Sequence, residues 1–137
     1  EEGKTKQGIC CFEQAIKLDP KLWEAYYSLG EIFSSQENWD EAVKYYRQVV
    51  ELNSESIESY YALGKALTEK EQWQEAIACY EQVIKLDANK TQATFPESED
   101  NIDMGEVYHL LGNALQEIGQ LNESVAAYQR AIELTGN

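Results

Sequence analysis

Three glycines set the frame for this chain. Gly30 and Gly64 lie 34 residues apart, and Gly64 and Gly112 lie 48 apart, which is the same period lengthened by 14. Each sits in the same surroundings: Tyr26-x-x-Leu29-Gly30-x-x-Phe33, Tyr60-x-x-Leu63-Gly64-x-x-Leu67 and Tyr108-x-x-Leu111-Gly112-x-x-Leu115. A second cluster follows each time, as Ala42-x-x-x-Tyr46, Ala76-x-x-x-Tyr80 and Ser124-x-x-x-Tyr128. A unit of this length cannot bury its apolar face alone, so successive copies must stack on one another.

Within each copy the apolar residues fall three and four apart, the spacing of one helix face. Tyr26, Leu29, Gly30 and Phe33 make such a face, and Ala42, Val43, Tyr46, Val49, Val50 and Leu52 make the next. A glycine inside a helix costs about 1 kcal/mol relative to alanine, so three of them imply a close approach. The expected packing sets Ala42 and Ala76 opposite the glycines, with the rings of Tyr46, Tyr80 and Tyr128 between adjacent units. Asp19-Pro20 reads as an N-cap followed by proline at the first helical position, and Asn38 with Glu41 as a capping-box variant. The helices expected are 6–18, 21–35, 39–52, 55–69, 73–86, 102–118 and 121–134. Breaks every 17 residues or so exclude a coiled coil, which needs sustained heptads.

These motifs resemble the tetratricopeptide repeat, whose signature is the aromatic-x-x-Leu-Gly-x-x-aromatic run followed by Ala-x-x-x-Phe and Pro at period 34. The signature tryptophan is Tyr in all three copies, and its closing proline survives only as Pro20, with Ser54, Ala88 and Gly136 in its place elsewhere. The resemblance implies an all-α, right-handed solenoid of about seven stacked antiparallel helices. Its parts are half a repeat at 1–20, repeats at 21–54, 55–87 and 105–137, and an insertion at 88–104. Gly8-x-x-x-Phe12 and Ala15-Ile16-x-Leu18 match a second half-repeat, so a longer parent protein is expected. The acidic, Pro96-containing insertion reads as a solvated loop with Phe95 and Ile102 to pin it to the stack, the next helix starting at 102 or as early as Pro96.

Composition excludes several functions. Eleven Lys and Arg against 25 Asp and Glu give a net charge of −14. Without a basic cluster, neither a phosphate backbone nor an anionic membrane surface is an expected partner. No apolar run is long enough to span a bilayer. Cys10, Cys11 and Cys79 show no Cys-x-x-Cys spacing, which fits reduced thiols and a cytoplasmic location. The lone histidine, His109, has no nucleophile at helical spacing, and there is no phosphate loop or metal-ligand pattern. The chain is therefore expected to be no enzyme and to hold no catalytic group, cofactor or metal.

In the resembling family the first helix of each pair lines a concave groove. Counted from the glycines, that face carries Glu24, Glu58 and Glu106 six residues before, and Tyr27, Tyr61 and His109 three before. Glu31, Lys65 and Asn113 come one after; Ser34 and Ser35, Thr68 and Glu69, and Gln116 and Glu117 follow. An acidic ladder beside an aromatic one suits an extended peptide bearing Lys or Arg, through ion pairs and cation–π contacts. Carboxylates in a helix's first turn are also favoured by the macrodipole alone, and the tyrosines could equally be buried against the next repeat. Members that grip acidic chaperone tails use Lys and Asn here, and only Lys65 and Asn113 match. The reading is thus a protein- or peptide-binding module. The alternatives are an arm of a larger bacterial glycosyltransferase, sulfotransferase or methyltransferase, and self-association through exposed terminal helices.

Overall fold

The computed structural model describes residues 2–91 and 102–136. They form seven helices: α1 Glu2–Leu18, α2 Trp23–Ser35, α3 Trp39–Leu52, α4 Ile57–Glu69, α5 Trp73–Thr91, α6 Met104–Glu117 and α7 Leu121–Thr135. There is no strand among the described residues. Extensive contacts run between helices consecutive in the chain, which is the signature of a helical solenoid. One continuous core threads the pairs, from Ala42, Val43 and Tyr46 through Leu63, Leu67, Tyr80 and Val83 to Val107, Leu111 and Leu115.

Each glycine meets a ring. A Cβ added to Gly30 would lie 2.5 Å from Tyr46 Cε1; at Gly64 the distance to Tyr80 Cε1 is 2.7 Å, and at Gly112 that to Tyr128 Cε1 is 2.7 Å. The ring belongs to the second helix of the same pair, not to an adjacent unit as the sequence suggested. Ala42 and Ala76 are fully buried, but it is the tyrosine that fills the space over the glycine. The hydroxyl is then tied to the residue four after the glycine: Tyr46 to Ser34 at 3.3 Å, Tyr80 to Thr68 at 2.8 Å, and Tyr128 donates to Gln116 Oε1 at 3.0 Å. Glycine, ring and hydroxyl partner form one clasp per pair.

The turn inside each pair is built three times the same way. Glu37 (φ 58°), Glu71 (φ 59°) and Gly119 (φ 83°) are left-handed. The following N–H groups of Asn38, Gln72 and Gln120 donate back to Phe33, Leu67 and Leu115 carbonyls, each at 2.9 Å. This is the Schellman ending of a helix. It also explains why Asn38 makes no side-chain cap on α3: its backbone is already fixed by the bond to Phe33, at angles unsuited to capping. Side-chain caps appear instead where Ser56 accepts from Ser59 N–H and Asp103 from Glu106 N–H, both at 3.3 Å.

Other boundaries shift for local reasons. Pro20 is not the first helical residue: the Asp19 carboxylate accepts from Lys21 N–H at 3.1 Å and its carbonyl from Leu22 N–H at 3.1 Å. That turn delays α2 to Trp23. Helix α5 runs on to Thr91, past the expected end at 86 and into the expected insertion, because no helix breaker occurs before Pro96. Helix α1 starts at Glu2, and α6 starts at Met104 behind its Asp103 cap. Leu52 faces solvent, 38% exposed, rather than the core. Phe95 and the early start at Pro96 lie outside the described residues, whereas Ile102 is partly buried against the core.

Candidate functional site

Helices α2 and α4 are the first members of successive pairs. On each, the positions six and three before the glycine and one after it recur three and four apart, so they share a stripe. The structure sets those stripes side by side across a groove of about 560 Å³. Six of the sequence candidates line it: Tyr27 and Glu31 from α2, and Glu58, Tyr61, Lys65 and Glu69 from α4. Ser34, Tyr46, Trp39 and Ile102 complete the walls. Trp39 was missed by counting along the first helices only. Its signal was the recurrence of Trp39 and Trp73 one period apart.

Charge in the groove is mostly negative, with three carboxylates to one ammonium among its lining groups. Partial burial raises the Glu31 carboxyl above its usual range. The Lys65 ammonium sits 5.0 Å from the centre of the Tyr61 ring, a cation–π pair already formed. Tyr61 donates its hydroxyl to Glu106 of α6, and burial first, then that bond and the Glu106 charge, push its ionisation well upward. Burial likewise raises Tyr46, partly offset by its bond to Ser34.

Apart from Ser34, the remaining candidates stand outside the groove lining. Glu24 is exposed and outside the groove lining. Glu106 reaches the groove only through the Tyr61 hydroxyl. His109 packs against the Tyr128 ring at 5.6 Å, as Tyr27 packs against Tyr46 at 5.7 Å. Asn113 accepts a hydrogen bond from the Tyr128 hydroxyl, so both residues of α6 serve the third clasp. Ser34, Thr68 and Gln116 are occupied by the tyrosines in the same way.

Among the described residues no three His, Cys, Asp or Glu side chains group so as to hold a metal ion, and no helix is long and apolar enough to cross a membrane. The Cys79 thiol is buried, and that burial pushes it up to about 12.

Family models described as tetratricopeptide repeat match residues 24–89 and 105–137. The chain belongs to the tetratricopeptide repeat family. Solved tetratricopeptide structures superpose on it. One crystal structure of MamA is 22% identical over 97% of this chain and 70% of its own, with a TM-score of 0.80. MamA from Desulfovibrio magneticus RS-1 is 19% identical over 97% and 67%, with a TM-score of 0.75. YrrB, described as a TPR protein with an unusual peptide-binding site, is 24% identical over 90% of this chain and 56% of its own, at 0.67. At these identities the likeness establishes the tetratricopeptide fold. No curated protein matches the sequence.

Proposed function

We propose that the chain is a protein-interaction module and that the groove between α2 and α4 binds an extended peptide carrying Lys or Arg. One observation carries this reading: Glu31, Glu58 and Glu69 line the same groove as Tyr27 and Tyr61. The carboxylates supply attraction, and the rings supply contact area and cation–π energy of about 0.5–2 kcal/mol each. Lys65 over Tyr61 is the internal precedent for how a guest ammonium would sit. The peptide-binding site named for YrrB makes a peptide the natural class of ligand for a related fold.

The test is fluorescence anisotropy with a labelled peptide alternating Lys and Val, against its counterpart alternating Glu and Val. The lysine peptide binds, weakens as salt screens the carboxylates, and loses roughly 2- to 30-fold on Tyr61→Ala, the equivalent of one cation–π contact. Equal binding of both peptides, or indifference to Glu58→Lys, would refute the acidic groove.

Self-association is a second reading, favoured by one feature of α7. Leu121, Val125 and Ile132 recur along one face and are 61%, 53% and 56% exposed. Sedimentation velocity over a hundredfold concentration range decides it; a constant monomer excludes it.

A further inference from the structure

Tyr27 and Tyr61 stand at the same register, three residues before a repeat glycine, yet their surroundings carry different charge. The Lys65 ammonium lies 5.0 Å from the centre of the Tyr61 ring. The hydroxyl of that ring is held by Glu106, and the charges of Glu106 and Asp103 both act on it. Tyr61 is thus flanked by one ammonium from its own helix and one carboxylate from the next first helix. The matching positions around Tyr27 are Glu31, one residue after Gly30, and Glu58, six before Gly64. Both line the groove together with Tyr27. Where the second repeat supplies an ammonium, the first supplies another carboxylate.

The same exchange divides the groove along α4, which contributes Glu58, Tyr61, Lys65 and Glu69 in that order. At 1.5 Å of rise per residue, Glu58 and Glu69 are about 16 Å apart along the axis, with Lys65 between them. Lys65 also stands one turn before Glu69, close enough on the helix surface to oppose any second cation that approaches that carboxylate. At the other end the Glu58 carboxylate accepts only from the nearby Ser56 hydroxyl, at 3.4 Å, and partial burial raises the Glu31 carboxyl. A cation arriving there meets two carboxylates; one arriving at Tyr61 meets an ammonium already in place.

We propose that Lys65 is the specificity-determining residue of this groove: it keeps the Tyr61 position for its own ammonium, so the partner segment is accepted by a single Lys or Arg seated among Tyr27, Glu31 and Glu58. The assignment rests on the groove being the peptide site proposed above. A second guest cation, placed to reach Tyr61 and Glu69, adds no affinity while Lys65 is present. The ring in turn keeps Lys65 away from the guest. Removing it by Tyr61→Ala frees the ammonium to repel the partner's own cation, which gives that variant its loss of binding.

The experiment compares two blocked, labelled peptides by anisotropy: Gln-Lys-Val-Gln-Val-Gln-Gln, with one lysine, and Gln-Lys-Val-Gln-Val-Lys-Gln, with two. Four residues of extended chain put the two lysines on one face about 13 Å apart, a span comparable to that from Glu58 to Glu69. The parent chain binds the two peptides within about twofold of each other. Lys65→Gln, at an exposed position, prefers the two-lysine peptide about fivefold, as expected for one exposed ion pair with one cation–π contact. Lys44→Gln removes the same charge outside the groove, where Lys44 covers Tyr45 at 5.3 Å, and keeps the parent's ratio. In proton spectra of the parent, the Lys65 methylene signals stay shifted upfield by the Tyr61 ring with either peptide bound. A fivefold two-lysine preference in the parent, equal affinities in Lys65→Gln, the same preference in Lys44→Gln, or loss of the upfield shift overturns the role of Lys65 while the groove still binds peptide. Failure of both peptides to bind any of the three chains refutes the groove itself, and this assignment with it.

Discussion

Replacing Gly64 with alanine sets two known effects against each other. Helix propensity alone predicts a gain of about 1 kcal/mol. The new methyl, however, would lie 2.7 Å from Tyr80 Cε1 and 3.1 Å from Cδ1 and Cζ. Tyr80 has nowhere to go, being 0% exposed with its hydroxyl 2.8 Å from Thr68 Oγ1. Overpacking of this kind costs about 1–3 kcal/mol beyond what relaxation recovers, and close approach to a ring locked at both ends belongs at the upper end. The expected net result is a loss on the order of 1–2 kcal/mol, a fall in Tm of about 4 °C per kcal/mol for a chain of this size. Gly8→Ala is the control, because its nearest neighbour is Ile32 Cδ1 at an ordinary 3.8 Å. That substitution keeps the propensity gain and raises Tm. Thermal and urea unfolding followed by circular dichroism read both. If Gly64→Ala matches or exceeds the parent in stability, the clasp is not what holds the pair together.

Further outcomes test other parts of the molecule. Tyr80→Phe removes the bond to Thr68 but leaves that hydroxyl donating to the Gly64 carbonyl, so unfolding shows a loss of only about 0.5–1.5 kcal/mol. Glu71→Gly relieves a left-handed residue and raises the urea midpoint by the equivalent of about 0.5–1 kcal/mol, whereas Gly119→Ala lowers it. Tyr80 is held up to about 12, chiefly by burial, against 10 unfolded. The unfolded chain therefore releases that proton first, and stability is full below pH 10 and declines as pH rises through 12. Urea midpoints measured from pH 8 to 11.5 check the sign, and a flat profile contradicts it. With a thiol reagent at pH 8, Cys10 and Cys11 react rapidly because they are exposed, and Cys79 reacts only as the fold opens.

The fold was largely legible because its determinants are local and repeated. The glycine period, the tyrosines sixteen residues later and the helical stagger left one architecture. What was hidden depends on contacts between distant residues or on backbone angles without a residue signature. Glu37 and Glu71 occupy left-handed turns that only Gly119 announces by type. Asp19-Pro20 has the letters of a helix start, yet a two-residue hydrogen bond from Lys21 makes it a turn. For the groove, counting along the first helices found Tyr27, Glu31, Glu58, Tyr61, Lys65 and Glu69. The same counting misplaced His109 and Asn113, because on α6 those positions serve the Tyr128 ring and hydroxyl. Trp39 and Ile102 enter from other elements, so no single-helix ladder contains them.

The glycine, ring and hydroxyl partner all belong to one pair of helices, so each pair sets its own internal geometry while its stability still comes from stacking on its neighbours. A change in the ion pairs between pairs, such as Arg47 with Glu75, therefore leaves the geometry inside each pair untouched.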